Sequence, residues 1–267
     1  MNRKPAVAGQ FYPRDPETLE REVSSFFVSG VDKKEAVGVV SPHAGYFYSG
    51  KVAGMVFSRV IIPPTVVILG PNHRGVGGDV AVAARGSWEM PLGTVPIDED
   101  LAGAILESSK SAADDDRAHA LEHSLEVQVP FIQASRPDFS LVPIAVGRLT
   151  LPECLTFGRE LAAAISAHTR DVLIVASTDM THYEPADVAE KKDRMVIDQI
   201  LRLDPDGVYQ TVRDNRITMC GVIPVTIMLA AAKERGAKDA ELVGYMTSGD
   251  ASGDYRSVVG YAGVIVR

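Results

Sequence analysis

Two histidines of this chain directly follow apolar segments of the kind that form buried β-strands. Residues 36–40 are an apolar run that breaks at Ser-Pro before His43, and residues 65–69 are a second run that breaks at Gly-Pro before His73. Proline removes a backbone donor and keeps the preceding residue extended, so both breaks are stiff. Since neutral imidazole is a common ligand of zinc, copper and iron, His43 and His73 are candidate metal ligands. Two polar loop histidines are the alternative.

A third apolar segment, residues 171–176, ends in a polar stretch that contains Asp179 and His182. If the three strands are parallel neighbours, their carboxyl ends share one edge of the sheet, where open α/β sheets bind ligands. A carboxylate can orient an imidazole that then transfers protons near neutral pH. We therefore predict that Asp179 and His182 are catalytic acid–base residues, with His182 held by Asp179. The alternative for Asp179 is a cap on the helix that follows.

Cys220 is the natural third metal ligand in this sequence. It precedes Gly221 and an apolar helix, so its thiol is expected to lie near a helix N-terminus and to ionise readily. Two histidines and one cysteine with an open position form a known zinc set, and sulfur also suits copper. A small buried hydrophobe is the alternative for Cys220, and it is our prediction for Cys154.

The remaining histidines carry weaker signals. His123 and Glu126 are three residues apart in a segment predicted to be helical, residues 121–131, so they would share a face and support the site. A partly exposed helix face is the simpler interpretation. His119 and His168 are predicted to be surface residues.

Composition restricts the class of protein. A net charge of −8 without a cluster of basic residues argues against a nucleic-acid surface. The longest uncharged apolar stretch, residues 217–232, is shorter than the ~20 residues of a membrane span, and no apolar signal core follows the N-terminus. With two cysteines there is no disulfide framework, so we expect a cytoplasmic protein. We also expect residues 1–267 to form one domain.

The alternation of apolar strands and amphipathic segments predicts an α/β protein. Helices are predicted at residues 15–28, 49–60, 98–109, 152–168, 185–203 and 221–232, and further strands at residues 141–146, 240–246 and 258–266.

Six short motifs, in order along nearly the whole chain, resemble those of the Memo family, the B component of the AmmeMemoRadiSam set. They are Arg3-Lys-Pro-Ala-Val-Ala-Gly-Gln-Phe-Tyr-Pro13, Pro42-His-Ala-Gly-Tyr46, Leu69-Gly-Pro-Asn-His73, Glu122-His-Ser-Leu-Glu126, Ser177-Thr-Asp-Met-Thr-His-Tyr183 and Met219-Cys-Gly221.

The resemblance implies a fold similar to class III extradiol dioxygenases, an α/β/α sandwich around a mixed sheet. By that similarity His43, His73 and Cys220 occupy the metal-ligand positions, while His182 and His123 fall where the dioxygenases keep catalytic histidines and Asp179 lines the same pocket. Those enzymes use two histidines and a carboxylate on iron(II), so a cysteine at the third position departs from their pattern.

Three functions follow as hypotheses. The first is an oxidoreductase with iron(II) or copper on His43, His73 and Cys220; the second is a zinc hydrolase on the same ligands; the third is a non-catalytic module that binds a peptide or partner protein. The expected ligand is a small molecule or peptide, and the resemblance adds association with AMMECR-type and radical SAM proteins. No nucleic acid or membrane is expected.

Overall fold

A computed structural model describes residues 2–267, and the apolar runs of the sequence form its central strands. The strands are β1 (Asn2–Arg3), β2 (Gly38–Ser41), β3 (Thr65–Pro71), β4 (Val80–Val82), β5 (Ser87–Met90), β6 (Gly93–Pro96), β7 (Ala112–Asp114), β8 (Ser140–Val146), β9 (Val172–Ser177), β10 (His182–Glu184), β11 (Ala240–Thr247) and β12 (Val258–Val266).

The intervening amphipathic segments form helices. These are α1 (Pro16–Phe26), α2 (Tyr46–Phe57), α3 (Glu99–Ser108), α4 (Val129–Ser135), α5 (Leu151–Ala167), α6 (Ala186–Leu201), α7 (Pro205–Asp214), α8 (Val222–Glu234) and α9 (Gly249–Ser252). Asp15, Asp98 and Asp204 accept hydrogen bonds from backbone N–H groups in the first turns of α1, α3 and α7, so these helices begin at side-chain caps. Among residues 2–267, no helix combines the length and apolar character that a bilayer crossing requires.

Nine strands form one mixed sheet in the order β10-β12-β2-β9-β3-β8-β4-β7, with β11 paired to β12. The central four, β2, β9, β3 and β8, run parallel, whereas β12 is antiparallel to β2 and β4 is antiparallel to β8. The carboxyl ends of β2, β3 and β9 therefore meet at one edge, as expected if the three apolar runs are parallel neighbours. The segments that carry His43, His73 and Asp179 begin at this edge.

Helices cover both faces of the sheet. A Cβ added to Gly38 of β2 would meet Met228 of α8, whereas one added to Gly263 of β12 would meet Val56 of α2. Because the register pairs Val264 with Val40, Gly38 and Gly263 point to opposite faces, and so α8 and α2 lie on opposite sides. This covering explains why the central strands are continuous apolar runs, and the predicted α/β/α sandwich is confirmed.

The predicted helix over residues 121–131 is wrong in its first half. The chain turns instead, makes a short 3₁₀ segment at Glu126–Gln128 and enters α4 at Val129. The carboxylate of Glu122 accepts a hydrogen bond from the backbone N–H of Ser124 at 2.9 Å, and such local bonds compete with helix formation. Pro130 then sits in the first turn of α4, where its missing donor costs nothing.

A small second sheet orders the N-terminal arm. Here β1 pairs in parallel with β5, which pairs with β6. The guanidinium of Arg3 lies 4.2 Å from the centre of the Trp88 ring, and both side chains are buried.

Candidate metal centre

Three imidazoles converge at the carboxyl edge of the parallel strands. One ring nitrogen from each of His43, His73 and His123 lies within 4.8 Å of the others. The ring centres are 5.2 Å apart for His43 and His73, 5.5 Å for His43 and His123, and 4.7 Å for His73 and His123. This spacing brings three nitrogen donors close enough to hold one ion.

Cys220 contacts His43 from the loop that precedes α8. Its Sγ lies 3.2 Å from Nε2 of His43, and the backbone N–H of Asp179 donates to the same sulfur at 3.2 Å. The structure thus brings two of the three ligands predicted from sequence, His43 and His73, into one donor group. The third member of that group is His123, whereas Cys220 contacts His43 alone among the three imidazoles.

A close approach of two backbone segments positions Cys220. A Cβ on Gly221 would lie 2.4 Å from Cβ of Thr178 and 2.5 Å from the carbonyl oxygen of Ser177. Only glycine lets the start of α8 approach the end of β9 this closely. The Gly221 N–H then donates to Oγ1 of Thr178 at 2.9 Å.

Hydrogen bonds fix the orientation of the His43 ring. Oγ of Ser177 donates to the carbonyl oxygen of Ser124 at 2.6 Å, so it accepts from Nδ1 of His43, 3.0 Å away. This network assigns the proton of His43 to Nδ1 and leaves the lone pair of Nε2 facing Cys220.

Glu122 orients the other two imidazoles. Its Oε1 lies 2.9 Å from Nδ1 of His73 and 3.4 Å from Nδ1 of His123, and its Oε2 accepts from the backbone N–H of His73 at 2.7 Å. Burial alone would raise the pKa of Glu122, but the hydrogen bond and charge of His73, with the Ser124 N–H, lower it to about 2. An ionised carboxylate behind a histidine is the usual support of a metal ligand.

The protonation of the cluster suits a cation. Burial, followed by the charges of neighbouring imidazoles, keeps the pKa of His43 well below its usual range. Burial also lowers the pKa of His123 to about 4, although Glu122 opposes the shift. Both rings are therefore neutral at pH 7, the form that binds metals.

The expected ready ionisation of Cys220 is wrong. Burial raises the pKa of its thiol, and the nearby charge of Asp179 raises it further, while the Asp179 N–H only partly offsets both. Without a cation the thiol is protonated. Cys154, by contrast, is a fully buried side chain in α5, as predicted.

Asp179 and His182 lie at the same edge, but the predicted hydrogen bond between their side chains does not form. Asp179 Oδ1 accepts from the backbone N–H of His43 at 2.7 Å, which positions the loop that carries His43. Nδ1 of His182 instead lies 2.7 Å from the carbonyl oxygen of Met180 and 2.9 Å from that of Thr218. Two carbonyl acceptors assign the proton to Nδ1, so Nε2 of His182 is the basic nitrogen.

Three further expectations need correction. Glu126 shares no helix face with His123; its carboxylate accepts from the backbone N–H of Ala6 at 2.7 Å and from Tyr12 Oη at 2.6 Å. His119 is not on the surface but fully buried, with Nε2 3.0 Å from the carbonyl oxygen of Ala81. His168 is also largely buried, since its side chain is only 10% exposed beside Asp98.

Sequence reasoning missed Glu122. The sequence shows that Glu122 directly precedes His123. Its role, however, depends on His73, which is 49 residues away in sequence. Only the fold brings the two together.

Comparisons with known proteins agree over nearly the whole chain. The sequence model of the family described as "Memo-like protein" matches residues 3–265. A MEMO1 family protein of Methanothermobacter thermautotrophicus is 43% identical, with 98% of this chain and 99% of that protein covered. One of Aquifex aeolicus is 43% identical, with 98% of each covered.

A solved structure is similar in fold alone. The crystal structure of an uncharacterized protein of Escherichia coli K12 superimposes with a TM-score of 0.58 at 16% identity, covering 85% of this chain and 98% of that one.

Proposed function

Because this chain belongs to the Memo family, and its histidine cluster could hold a metal, we propose that it is an iron- or copper-dependent oxidoreductase with ligands His43, His73 and Cys220. One observation carries the proposal: the imidazoles of His43, His73 and His123 meet at a sheet edge, with a thiol 3.2 Å from the free nitrogen of His43.

The chemistry of these donors fits such an ion. His43 and His73 have their Nδ1 atoms engaged by Ser177 and Glu122, so each offers Nε2. The thiol of Cys220 requires a cation to lose its proton at neutral pH, since burial and Asp179 raise its pKa. Two imidazoles with a soft sulfur suit copper and iron.

Bound iron or copper would supply electron transfer with a substrate, and the protein's side chains would manage protons. His182 presents Nε2 because two carbonyl oxygens hold its Nδ1 proton, which makes it the proposed general base. Asp179 keeps the loop of His43 in place, and His123 flanks the metal ligands. The likeness to extradiol dioxygenases inferred from the motifs points to the same class of reaction.

A zinc hydrolase, predicted from the sequence on His43, His73 and Cys220, is the second candidate, and the position of His123 favours it on a different ligand set. His43, His73 and His123 together form a three-imidazole set, which is typical of catalytic zinc. In that case Cys220 would lie beside the ion without binding it. A cytoplasmic location, a peptide ligand and association with AMMECR-type and radical SAM proteins remain predictions.

Elemental analysis of protein purified without added metal tests the proposal. We expect iron or copper at about one ion per chain, lost on chelation and restored by adding back the same metal. Zinc at that stoichiometry, retained in the presence of iron(II) and copper(I), supports the hydrolase instead. A chain that takes up none of the three metals would refute both.

A further inference from the structure

A cavity of about 580 Å³ opens beside the histidine cluster. His73 and Cys220 form part of its wall, and the rest comes from the loop after β3, the segment after β8 and the start of α8. The volume lies within the range of roughly 300–1,000 Å³ that is usual for small-molecule sites. A molecule in this cavity would therefore touch the proposed metal ligands.

Two arginines on the wall have little to bind in the protein itself. The guanidinium of Arg148 makes no hydrogen bond or ion pair with any of residues 2–267. Arg74 uses only its Nε, which lies 3.3 Å from the carbonyl oxygen of Leu121, so both of its terminal nitrogens are free within the same range. Planar guanidinium groups bind carboxylates and phosphates through paired hydrogen bonds.

The charge balance of the wall favours an anion. Asp79 is its one carboxylate among residues 2–267, and that group is already engaged, since Oδ1 accepts from the backbone N–H of Arg148 at 3.0 Å. The N-terminus of α8, at Ile223 and Pro224, adds the positive end of a helix dipole. The chain as a whole carries a net charge of −8, so two free arginines on one wall are a local feature.

Two glycines in the loop after β3 leave part of the cavity wall without side chains. Gly75 and Gly77 both line the cavity and have φ of 62° and 87°, a backbone conformation that favours glycine. The wall at these two positions is backbone, so side chains elsewhere on the wall, the two arginines among them, select an occupant.

We propose that this cavity binds a small organic anion whose carboxylate or phosphate group pairs with Arg74 and Arg148, while the rest of the molecule reaches His73 and Cys220. The inference deepens the proposed function, because it names the substrate class of the metal site. The arginine contacts themselves require no metal, so the two ideas can fail separately.

Calorimetric titration at low salt tests the pairing on the intact chain, with and without metal. The probes are succinate, inorganic phosphate and the neutral 1,4-butanediol. The variants are Arg74→Gln, Arg148→Gln and the double variant. Arg159→Gln is the matched control, because Arg159 is exposed on α5, outside the cavity, and bonds only Thr156 among residues 2–267.

We expect succinate or phosphate to bind, and affinity to fall about tenfold for each arginine removed, as is typical for loss of a charged hydrogen bond. Arg159→Gln should change affinity less than twofold. The diol should not bind. Which anion binds distinguishes a carboxylate substrate from a phosphate ester.

Equal anion affinity in the wild type and the double variant, or equal binding of succinate and butanediol, would overturn the inference. Arginine-dependent anion binding by a chain that takes up no metal would support the cavity and refute the proposed oxidoreductase. Metal uptake without arginine-dependent anion binding would refute the anion cavity and support the proposed metal site.

Discussion

At the residue scale, the site separates groups that can bind a cation from groups that hold them. The three clustered imidazoles have their orientation set by Ser177 or Glu122, while Asp179 and Glu122 hold the backbone of His43 and His73. Glu122 thus serves two histidines at once. Its charge, kept by a pKa of about 2, would also offset part of the charge of a bound ion.

Cys220 and Cys154 give a matched pair for testing the thiol. Cys220→Ser should weaken iron(II), copper(I) and zinc binding by at least about tenfold, because a hydroxyl lacks the charge and softness of a thiolate. Cys154→Ser removes a buried thiol in α5 and should leave metal affinity unchanged. Competition titrations with a chromogenic chelator measure both variants.

His123→Ala distinguishes the two ligand sets. If Cys220 is the third ligand, this variant keeps its metal and only Cys220→Ser loses it. If instead His123→Ala loses its metal and Cys220→Ser keeps it, the ion is held by three imidazoles and Cys220 is not a ligand.

His182 should affect turnover rather than metal content. His182→Ala removes the proposed base, whose loss typically costs ~100- to 10,000-fold in rate, whereas the ring makes no contact with Glu122 or Ser177 that would hold the ligands. His43→Ala should lose the ion itself. Metal analysis and single-turnover kinetics on both variants provide the check. A metal-free His182→Ala protein would make His182 a ligand, and full turnover would exclude it as the base.

At the element scale, strand ends were readable from the sequence because parallel strands buried on both faces leave continuous apolar runs. The break after each run correctly located His43, His73 and Asp179 at one edge. The sequence predicts the last strand at residues 258–266, which are the bounds of β12. Its pattern is unambiguous because nearly every residue of this strand is buried.

The segment around His123 could not be read in the same way. Its apolar spacing predicts a helix, but contacts with the N-terminal arm, 119 and 120 residues away, hold Glu126 at the start of a 3₁₀ segment. Local propensity loses to such contacts, and a single sequence contains no signal for them. The residues around His123 therefore predict a helix face, and only the resemblance to the dioxygenases implies that His123 lies at the site.

The junction between β9 and α8 should be intolerant of any side chain at Gly221. Gly221→Ala would force apart Thr178 and the start of α8, which costs about 1–3 kcal/mol as overpacking and displaces Cys220. We expect lower unfolding free energy together with weaker metal binding. Gly103→Ala is the control, because a Cβ there enters open space within α3 and should stabilise the helix by up to ~1 kcal/mol. Urea unfolding and metal titration measure the pair, and equal metal affinity in the two variants would exclude the junction as the element that positions Cys220.

At the scale of the whole molecule, Arg3 ties the N-terminal arm to the segment that carries His123. Arg3 donates to the carbonyl oxygens of His119 and Glu122 at 2.6 and 2.7 Å and pairs with Glu126 at 2.7 Å. The arm therefore fixes both ends of the turn that carries His123. Breaking a buried ion pair from one side typically costs 3–5 kcal/mol, so this arm is part of the cooperative unit.

His119, whose carbonyl oxygen accepts from Arg3, should make the stability of the fold depend on pH. Its ring is fully buried, and its Nδ1 has no hydrogen-bond partner within residues 2–267. Burial lowers the pKa of His119 to about 4; the Ala81 carbonyl, Glu122 and Asp115 raise it, and the charge of Arg3 lowers it. The folded chain thus binds fewer protons than the unfolded chain between pH 4 and the unfolded value of 6.5.

The direction in which stability changes with pH follows from this difference in bound protons. His119 contributes stability in full above pH 6.5, and the contribution falls as the pH drops to about 4, by at most about 3 kcal/mol. His119→Gln should reduce this loss, because glutamine keeps an N–H donor for Ala81 but cannot be protonated in this range. Urea unfolding of metal-free wild type and variant at pH 4, 5.5 and 7 measures the difference. Parallel curves of unfolding free energy against pH would exclude His119 as the source, since the other buried acids and histidines are identical in the two proteins and their contributions cancel.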